Sequence, residues 1–515
     1  MWWPWWWLAT AVTVGAAVGW WAAARQKAAN GTRPTLPGGH WLWGHARFFA
    51  PIETLHERLI ALARHGPRAV WLRIGPAGPL GSDMVVLNDA ALATALLRMG
   101  GTRAEQDPAA VGDIARVIGR GLISTRGDVW SKRRTVISGH FLSPPALRDY
   151  APDMAADAAR MAAALVAKTS SASVTSAGDT ATTGARSHDM MLDWLMPYVL
   201  GVSLRLTCGD LPADLDLRAF MRDLDTVFGE FNVRSFKPCN ALRPTTAAHK
   251  AALARVRRII GSVVTQTRRR LDNTSDDDDG GGSRPTLATI LLDKGADVYG
   301  TDDAVRDETL LVTFGAYETT AATAAYTLHL LAAHPDVQAR VRDEVRAATS
   351  ATAGRLGPGA ATPLLDACVS ESMRLYPAAF AVSRRAEVDL RVEAPATADD
   401  PTPCVVDIPA GTRILVNGVG ISRAPRHWDD PDIFRPERWL AGTDRCARAM
   451  CGSLPFGAGP RACPGSKLAL LEIRIVIAAL LDAVEFAPDP ERPFACAVHF
   501  MLRPDGPHLL CKPVA

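Results

Sequence analysis

Phe456-Gly-Ala-Gly-Pro-Arg-Ala-Cys-Pro-Gly465 sets one cysteine, Cys463, in a loop dense in glycine and proline, and an apolar helical pattern, Leu468 to Phe486, follows at once. Pro464 suits a first helical turn. The helix after it would aim its dipole and its free N–H groups at the sulfur. Positive potential and donors of that kind keep a thiol deprotonated. Gly457, Gly459 and Gly465 let backbone pass close to a flat group. The stretch therefore reads as a thiolate that ligates a haem iron, pushing electron density onto the metal and favouring O–O cleavage. Phe456 is placed to pack over the sulfur side of the ring, and Arg461, two residues before the cysteine, to reach a propionate. A structural cysteine in a Gly/Pro turn is the bland alternative. It explains a lone cysteine but not the whole pattern.

The remaining composition narrows the class. The chain has 515 residues, 48% hydrophobic and 22% charged. That is enough for one large domain or several small ones. A formal charge of +3 is too small to point to a nucleic-acid partner. Nine cysteines without regular spacing argue against a disulfide framework and for a reducing compartment. Too few residues follow Cys463 for a fused flavin domain, so electrons are expected from a separate protein.

Trp2 to Ala24 carries no charge and holds seven of the fourteen tryptophans, in two clusters at its ends. As a helix it would span roughly 34 Å, enough to cross a bilayer with an aromatic belt at each interface. Arg25, Lys27 and Arg33 follow, which places the catalytic body on the cytosolic side. A cleaved signal peptide is the rival, but the run lacks a basic start. Asn30-Gly-Thr32 and Asn273-Thr-Ser275 fit the glycosylation pattern, yet a cytosolic body would leave both unmodified. Pro34-Thr-Leu-Pro-Gly-Gly39 is stiff and would set the angle between anchor and body. Ala69–Ile74 and Met84–Leu87 read as a strand pair. Residues 169–188 and 272–284 read as flexible surface insertions.

Asp303 to His334 is the longest helical pattern of the body, stopped by Pro335. Its middle, Phe314-Gly-Ala-Tyr-Glu-Thr-Thr320, places a carboxylate and two hydroxyls in an apolar helix. Hydroxyl–carbonyl bonding within the helix would explain the threonines. It explains Glu318 less well, because an unpaired buried carboxylate is costly.

Phe456, Gly459, Arg461, Cys463 and Gly465 together resemble the haem-binding signature of the cytochromes P-450, the haem-thiolate monooxygenases. The resemblance extends over about residues 34 to 515. It implies a mainly α fold with a small β domain (α+β) and haem b between the long central helix and the Cys463 loop. The domain reading is then 1–24 as a transmembrane anchor, 25–40 as a basic, proline-rich hinge and 41–515 as the catalytic domain. Leu215 to Ala254 should hold the lid helices.

Residue by residue, the resemblance implies that Glu318 and Thr319 pass protons to iron-bound oxygen. The family's usual Ala-Gly before them stands here as Gly315-Ala316. Gly315 occupies the place where some fatty-acid hydroxylases carry a glutamate that esterifies haem, so no covalent haem is expected. Trp130 and Arg134, four apart on one helix face, would hold a propionate, with Arg384 and Arg461 as further partners. Glu371 and Arg374 would join Arg438, in Phe434-Arg-Pro-Glu-Arg-Trp439, as a buried triad. Val498 to Leu502 resembles a substrate-lining turn. Lys132, Arg133, Arg445 and Arg448 would form a basic patch facing the reductase.

The implied protein is a single-pass enzyme of the endoplasmic reticulum membrane with a cytosolic catalytic domain. Its partners would be an NADPH-dependent flavoprotein reductase, with cytochrome b5 as a second donor, together with O₂ and a lipophilic substrate. A sterol is the first expectation and a fatty acid the second. Two rivals remain: a haem-thiolate isomerase or lyase that needs no O₂, and a non-catalytic haem or lipid binder.

Overall fold

The computed structural model describes residues 33–40, 42–75, 81–101, 103–171, 185–209, 211–212, 215–235, 245–273, 284–351, 356–357, 359–396, 403–440 and 452–514. The expected anchor 1–24 and the cores of both expected insertions lie outside these residues. Among the described residues no helix is long and apolar enough to cross a membrane. The fold divides into two compact units. One comprises Met1–Asp107, Ala381–Pro431 and Cys451–Arg461, and the other Pro108–Phe380, Asp432–Met450 and Ala462–Ala515.

The first unit is built on a five-stranded sheet of β1 (Ala69–Ile74), β2 (Ser82–Leu87), β3 (Ala104–Glu105), β4 (Val382–Ala386) and β5 (Arg413–Val416), in the order β1-β2-β5-β4-β3. The expected strand pair forms: β1 and β2 are antiparallel with Trp71 opposite Val85. β2 runs parallel to β5, and β5 antiparallel to β4. The end of the expected hinge is tied to this sheet, because Leu36 N–H donates to the Trp71 carbonyl (3.0 Å) and Trp71 N–H to the Pro34 carbonyl (2.8 Å). A hairpin of Leu390–Ala394 and Cys404–Ile408 alternates buried and exposed residues, as a half-buried sheet should. Its inward Val392 and Ile408 join Val85, Leu87, Leu92 and Leu96 in one core.

Helix Ala90–Arg98 of this unit starts from a buried charge. The Asp89 carboxylate caps it by accepting from Ala91 N–H (2.9 Å) and Leu92 N–H (3.0 Å), and its other oxygen accepts from Arg68 Nε (2.9 Å). Both side chains are nearly inaccessible.

The second unit is mainly helical. Its helices include α1 (Gly127–Val136), α2 (Leu217–Ser235), α3 (Ala247–Asn273), α4 (Asp302–Ala333), α5 (Pro363–Leu375) and α6 (Ser466–Ala483). α4 is the long central helix, within a residue of its expected bounds at each end. Thr301 caps it by accepting from Ala304 N–H, and Asp302 and Asp303 sit favourably in its first turn. α6 begins and ends differently from the expected Leu468–Phe486. It starts at Ser466 and gives way at Val484 to strand Val484–Pro488, which pairs with His508–Pro513. Phe486 thus packs from a sheet, where the apolar run alone could not separate the two periods. A second hairpin, Ala495–Val498 with Leu502–Asp505, holds the turn at His499 to Met501.

Removing the Asp89 carboxylate takes away the ion-pair partner of Arg68 Nε and uncaps a helix together. Asp89→Ala is expected to lower stability by roughly 3–5 kcal/mol. Asp89→Asn keeps a capping oxygen and should cost less. Thermal melts of the full chain with both variants check the order.

Candidate functional site

Cys463 lies just ahead of α6, with Gly465 as the residue before its first turn. The N–H groups of Gly465 and Ser466 point at the sulfur, as the dipole argument requires. Crowding by protein raises the thiol's proton affinity, while these two donors and the Arg134 guanidinium pull it down. The residue nevertheless keeps an exposed surface. A Cβ added at Gly465 would stand 4.0 Å from the sulfur, in its immediate neighbourhood. A sulfur held by N–H donors and a cation, on a residue that keeps exposed surface, has the chemistry of a thiolate ligand.

Trp130 and Arg134 fall one turn apart on α1, as expected, and both are half-buried. Arg134 Nη1 donates to the Ala462 carbonyl at 2.6 Å, so this side chain braces the backbone next to Cys463. The basic patch needs a correction. Lys132 is exposed, but Arg133 is buried. Arg133 Nη1 meets Glu308 Oε2 at 3.3 Å and the Arg120 carbonyl at 3.0 Å, and its guanidinium lies 4.6 Å from the centre of the Tyr299 ring. Glu308 accepts in addition from Leu122 N–H (2.9 Å) and Tyr299 OH (3.2 Å). Arg133 therefore ties α1 to α4 and presents no charge to a partner. Arg445 and Arg448 lie outside the described residues.

α4 buries most of its surface, but Val312, Gly315, Ala316 and Thr319 form an accessible stripe at helical spacing. A Cβ at Gly315 would meet nothing within 4 Å. Thr319 Oγ1 donates to the Gly315 carbonyl at 2.9 Å, and Thr313, Thr323 and Thr327 repeat that pattern. The threonines thus do what threonines do in helices, and the lone pairs of Thr319 remain on the accessible stripe.

Glu318 behaves differently. Its carboxyl is buried, and that burial raises its proton affinity to about 7; Arg503 opposes the shift and Asp225 adds to it. Arg503 Nη1 stands 3.8 Å from Glu318 Oε1 and 3.7 Å from Asp225 Oδ1. Nothing in the sequence pattern singles out Arg503 or Asp225, because neither falls in a motif. Phe228 of α2 stacks on Phe314 of α4 with centroids 3.2 Å apart. Phe500, in the turn expected to line a substrate, meets both, at 5.6 and 5.4 Å.

The expected triad is assembled in full. Glu371 Oε2 and Oε1 accept from Arg374 Nε (2.8 Å) and Nη2 (2.7 Å), and Oε1 accepts also from Arg438 Nε (3.3 Å). Two further donors converge, the Arg435 N–H at 3.0 Å and the Trp439 indole at 2.8 Å. Arg374 also donates to the Ile433 carbonyl.

In the other unit, Arg461 Nη2 pairs with Glu105 Oε1 at 2.8 Å, both nearly inaccessible. Arg384 is buried and donates to the Ser383 carbonyl at 2.8 Å. Burial, and then repulsion by Arg461, pull its proton affinity down to about 10, with Glu105 acting against them. Arg384 and Arg461, two of the four expected propionate partners, are thus gathered around one carboxylate. Glu105 had no motif to announce it, since it sits in a two-residue strand. Phe456 is half-buried in the same unit. Gly459 has φ +71°, and a Cβ there would overlap the Leu97 carbonyl. The glycine is required on both counts.

Comparison with known proteins follows the same lines. The family profile "Cytochrome P450" matches residues 34–511. Cytochrome P450 78A1 of Zea mays is 31% identical over 388 residues, covering 73% of this chain and 67% of that protein. Cytochrome P450 3A13 of Mus musculus is 30% identical over 210 residues, which is 39% of each chain. The alignment thus spans well under two thirds of the mouse protein. The crystal structure of a cytochrome P450DA haem domain superposes with a TM-score of 0.72 at 20% identity, covering 94% of this chain and 98% of that one. At that identity the likeness is one of fold.

Glu371→Gln leaves two buried guanidinium groups facing a neutral amide. The expected loss is about 3–5 kcal/mol, enough to deplete folded protein. Arg374→Lys, which gives up the two-pronged contact, should fall between the wild type and Glu371→Gln. Soluble yield and melting temperature of the three proteins provide the check.

Proposed function

The chain belongs to the cytochrome P450 family, a family of haem-thiolate monooxygenases, and on that premise we propose that it is a membrane-anchored monooxygenase that inserts one oxygen atom of O₂ into a lipophilic substrate. The observation that carries this reading is the Cys463 sulfur, held by the Gly465 and Ser466 N–H groups and by Arg134 on a residue that keeps exposed surface. Bound haem supplies the activation of O₂, and a thiolate on its iron favours O–O cleavage.

The chain's own residues would then do the rest. Cys463 is the iron ligand, and the N–H groups at the start of α6 hold its charge. Arg384 and Arg461 take haem propionates, with Glu105 limiting their mutual repulsion. Trp130 packs at a propionate, while Arg134 divides its donors between a propionate and the Ala462 carbonyl. Phe456 packs on the sulfur side of the ring. Glu318, with a proton affinity near neutrality, can give up and regain a proton under working conditions. Thr319 accepts a hydrogen bond with the lone pairs left free by its bond to Gly315. Phe228, Phe314 and Phe500 supply an apolar wall suited to a lipophilic substrate. A sterol is the first candidate and a fatty acid the second.

Electrons come from a separate NADPH-dependent flavoprotein reductase, with cytochrome b5 as a second donor. The uncharged run Trp2 to Ala24 and the following Arg25, Lys27 and Arg33 support a single-pass anchor in the endoplasmic reticulum membrane with the body in the cytosol.

The reduced, CO-bound absorption spectrum tests the ligand. The wild type should give the red-shifted Soret band of a thiolate complex, and Cys463→Ala should lose it. A histidine-like band in well-folded wild type would remove Cys463 from its role. Glu318→Gln should keep the wild-type spectrum yet lower reductase-dependent product formation on the order of 100-fold. Unchanged turnover in that variant, or turnover without reductase and O₂, would favour isomerase or lyase chemistry.

A further inference from the structure

Three elements of the helical unit meet twice. α2 contributes Asp225 and Phe228, α4 contributes Glu318 and Phe314, and the hairpin of Ala495–Val498 with Leu502–Asp505 contributes Arg503 and Phe500. On two of these elements the charged residue and the phenylalanine are three or four positions apart, hence on one helix face. One layer of the contact is three aromatic rings. The other is a cation shared between two carboxylates.

We propose that Arg503 is a positioning residue that fixes the Glu318 carboxylate and, by sharing itself with Asp225, couples that carboxylate to the seating of α2. The distances are nearly equal, 3.8 Å to Glu318 and 3.7 Å to Asp225, so the guanidinium belongs to neither acid alone. The environments differ. The Glu318 side chain is 6% exposed, Arg503 22% and Asp225 46%. Glu318 thus faces the interior end of the cluster and Asp225 the solvent end. A charge held at the wet end can be felt at the dry end through one shared cation.

The sign of the coupling follows from the groups present. Among the described residues, Arg503 and Asp225 are the charged groups that bear on Glu318, and the buried Tyr317 phenol is the adjacent titratable group. Burial raises the Glu318 proton affinity, Arg503 lowers it and Asp225 raises it. Asp225 reaches the cluster only while α2 is seated. Seating therefore holds the Glu318 proton affinity above its value with α2 displaced. By linkage, seating of α2 is favoured while Glu318 is protonated and weakens as pH rises through about 7. Above that pH two negative charges compete for one guanidinium. If Glu318 handles protons in the way proposed above, displacement of α2 also makes it a stronger acid. The latch itself does not depend on that role.

The haem-loaded full-length protein is the material for the test. The C=O stretch of protonated Glu318, assigned by its loss in Glu318→Gln, is followed by difference infrared spectroscopy across pH. Amide exchange along α2 and α6 is followed in parallel. Arg503→Gln should raise the Glu318 midpoint by about 1 unit, and Asp225→Asn should lower it by less. Arg503→Lys should return it close to the wild type. Both neutralising variants should speed exchange in α2 several-fold and leave α6 as it was. A purely structural Arg503 would not move the midpoint in opposite directions in the two variants. Midpoints that stay put, or that shift the same way, would overturn the proposal. Opposite shifts in a protein without monooxygenase activity would support the latch and reject the catalytic reading.

Discussion

One buried carboxylate joins α5 to the turn Pro436–Trp439. Glu371 has no access to water, yet it carries a charge that burial alone would make prohibitive. It is tolerated because five donors surround its two oxygens: Arg374 twice, Arg438, the Arg435 amide and the Trp439 indole. α5 supplies the acid and the first arginine, and the single turn Pro436–Trp439 supplies Arg438 and the indole. An arrangement of this kind adds specificity more than net stability, since it is satisfied only when the segments take one relative position. The segment that leads on toward Cys463 is thereby pinned at its start.

The same logic recurs in smaller form. Glu308 gathers Arg133, Tyr299 and the Leu122 amide and binds the α1 segment to α4. Glu105 gathers Arg461 beside Arg384 in the sheet unit. Asp89 gathers Arg68 and a helix start. In each case one buried carboxylate gathers donors from segments far apart in the sequence or from the start of a helix. The exception is Glu318, whose closest cation stands beyond hydrogen-bond distance, and its proton affinity rises to about 7.

Much of this was legible in the chain itself. Cys463 was found because a helix start, glycines and a proline surround it locally. The spacing of Glu371 and Arg374, three positions apart, puts them on one helix face, while their burial with Arg438 is legible only through the family resemblance. The central helix was found from its length and its capping residues. Other features were not legible, for physical reasons. Arg133 read as surface charge because composition does not reveal burial, and its partner Glu308 is far away in sequence. The Trp439 indole and Arg435 amide reach Glu371 only because a tight turn folds them back. Glu105 and Arg503 lie in short strands with no motif. The end of α6 was misplaced because an apolar run continues from helix into strand without a change of composition.

The pairing of Pro34 and Leu36 with Trp71 has a mechanical meaning. Trp71 of β1 accepts one hydrogen bond from the chain that precedes it and donates another to it, and the Arg33 guanidinium lies 4.4 Å from the centre of the same Trp71 ring. Force carried along the chain from residues before 33 therefore enters the body at Trp71, on the edge strand of the five-stranded sheet, where it is spread over a ladder of hydrogen bonds.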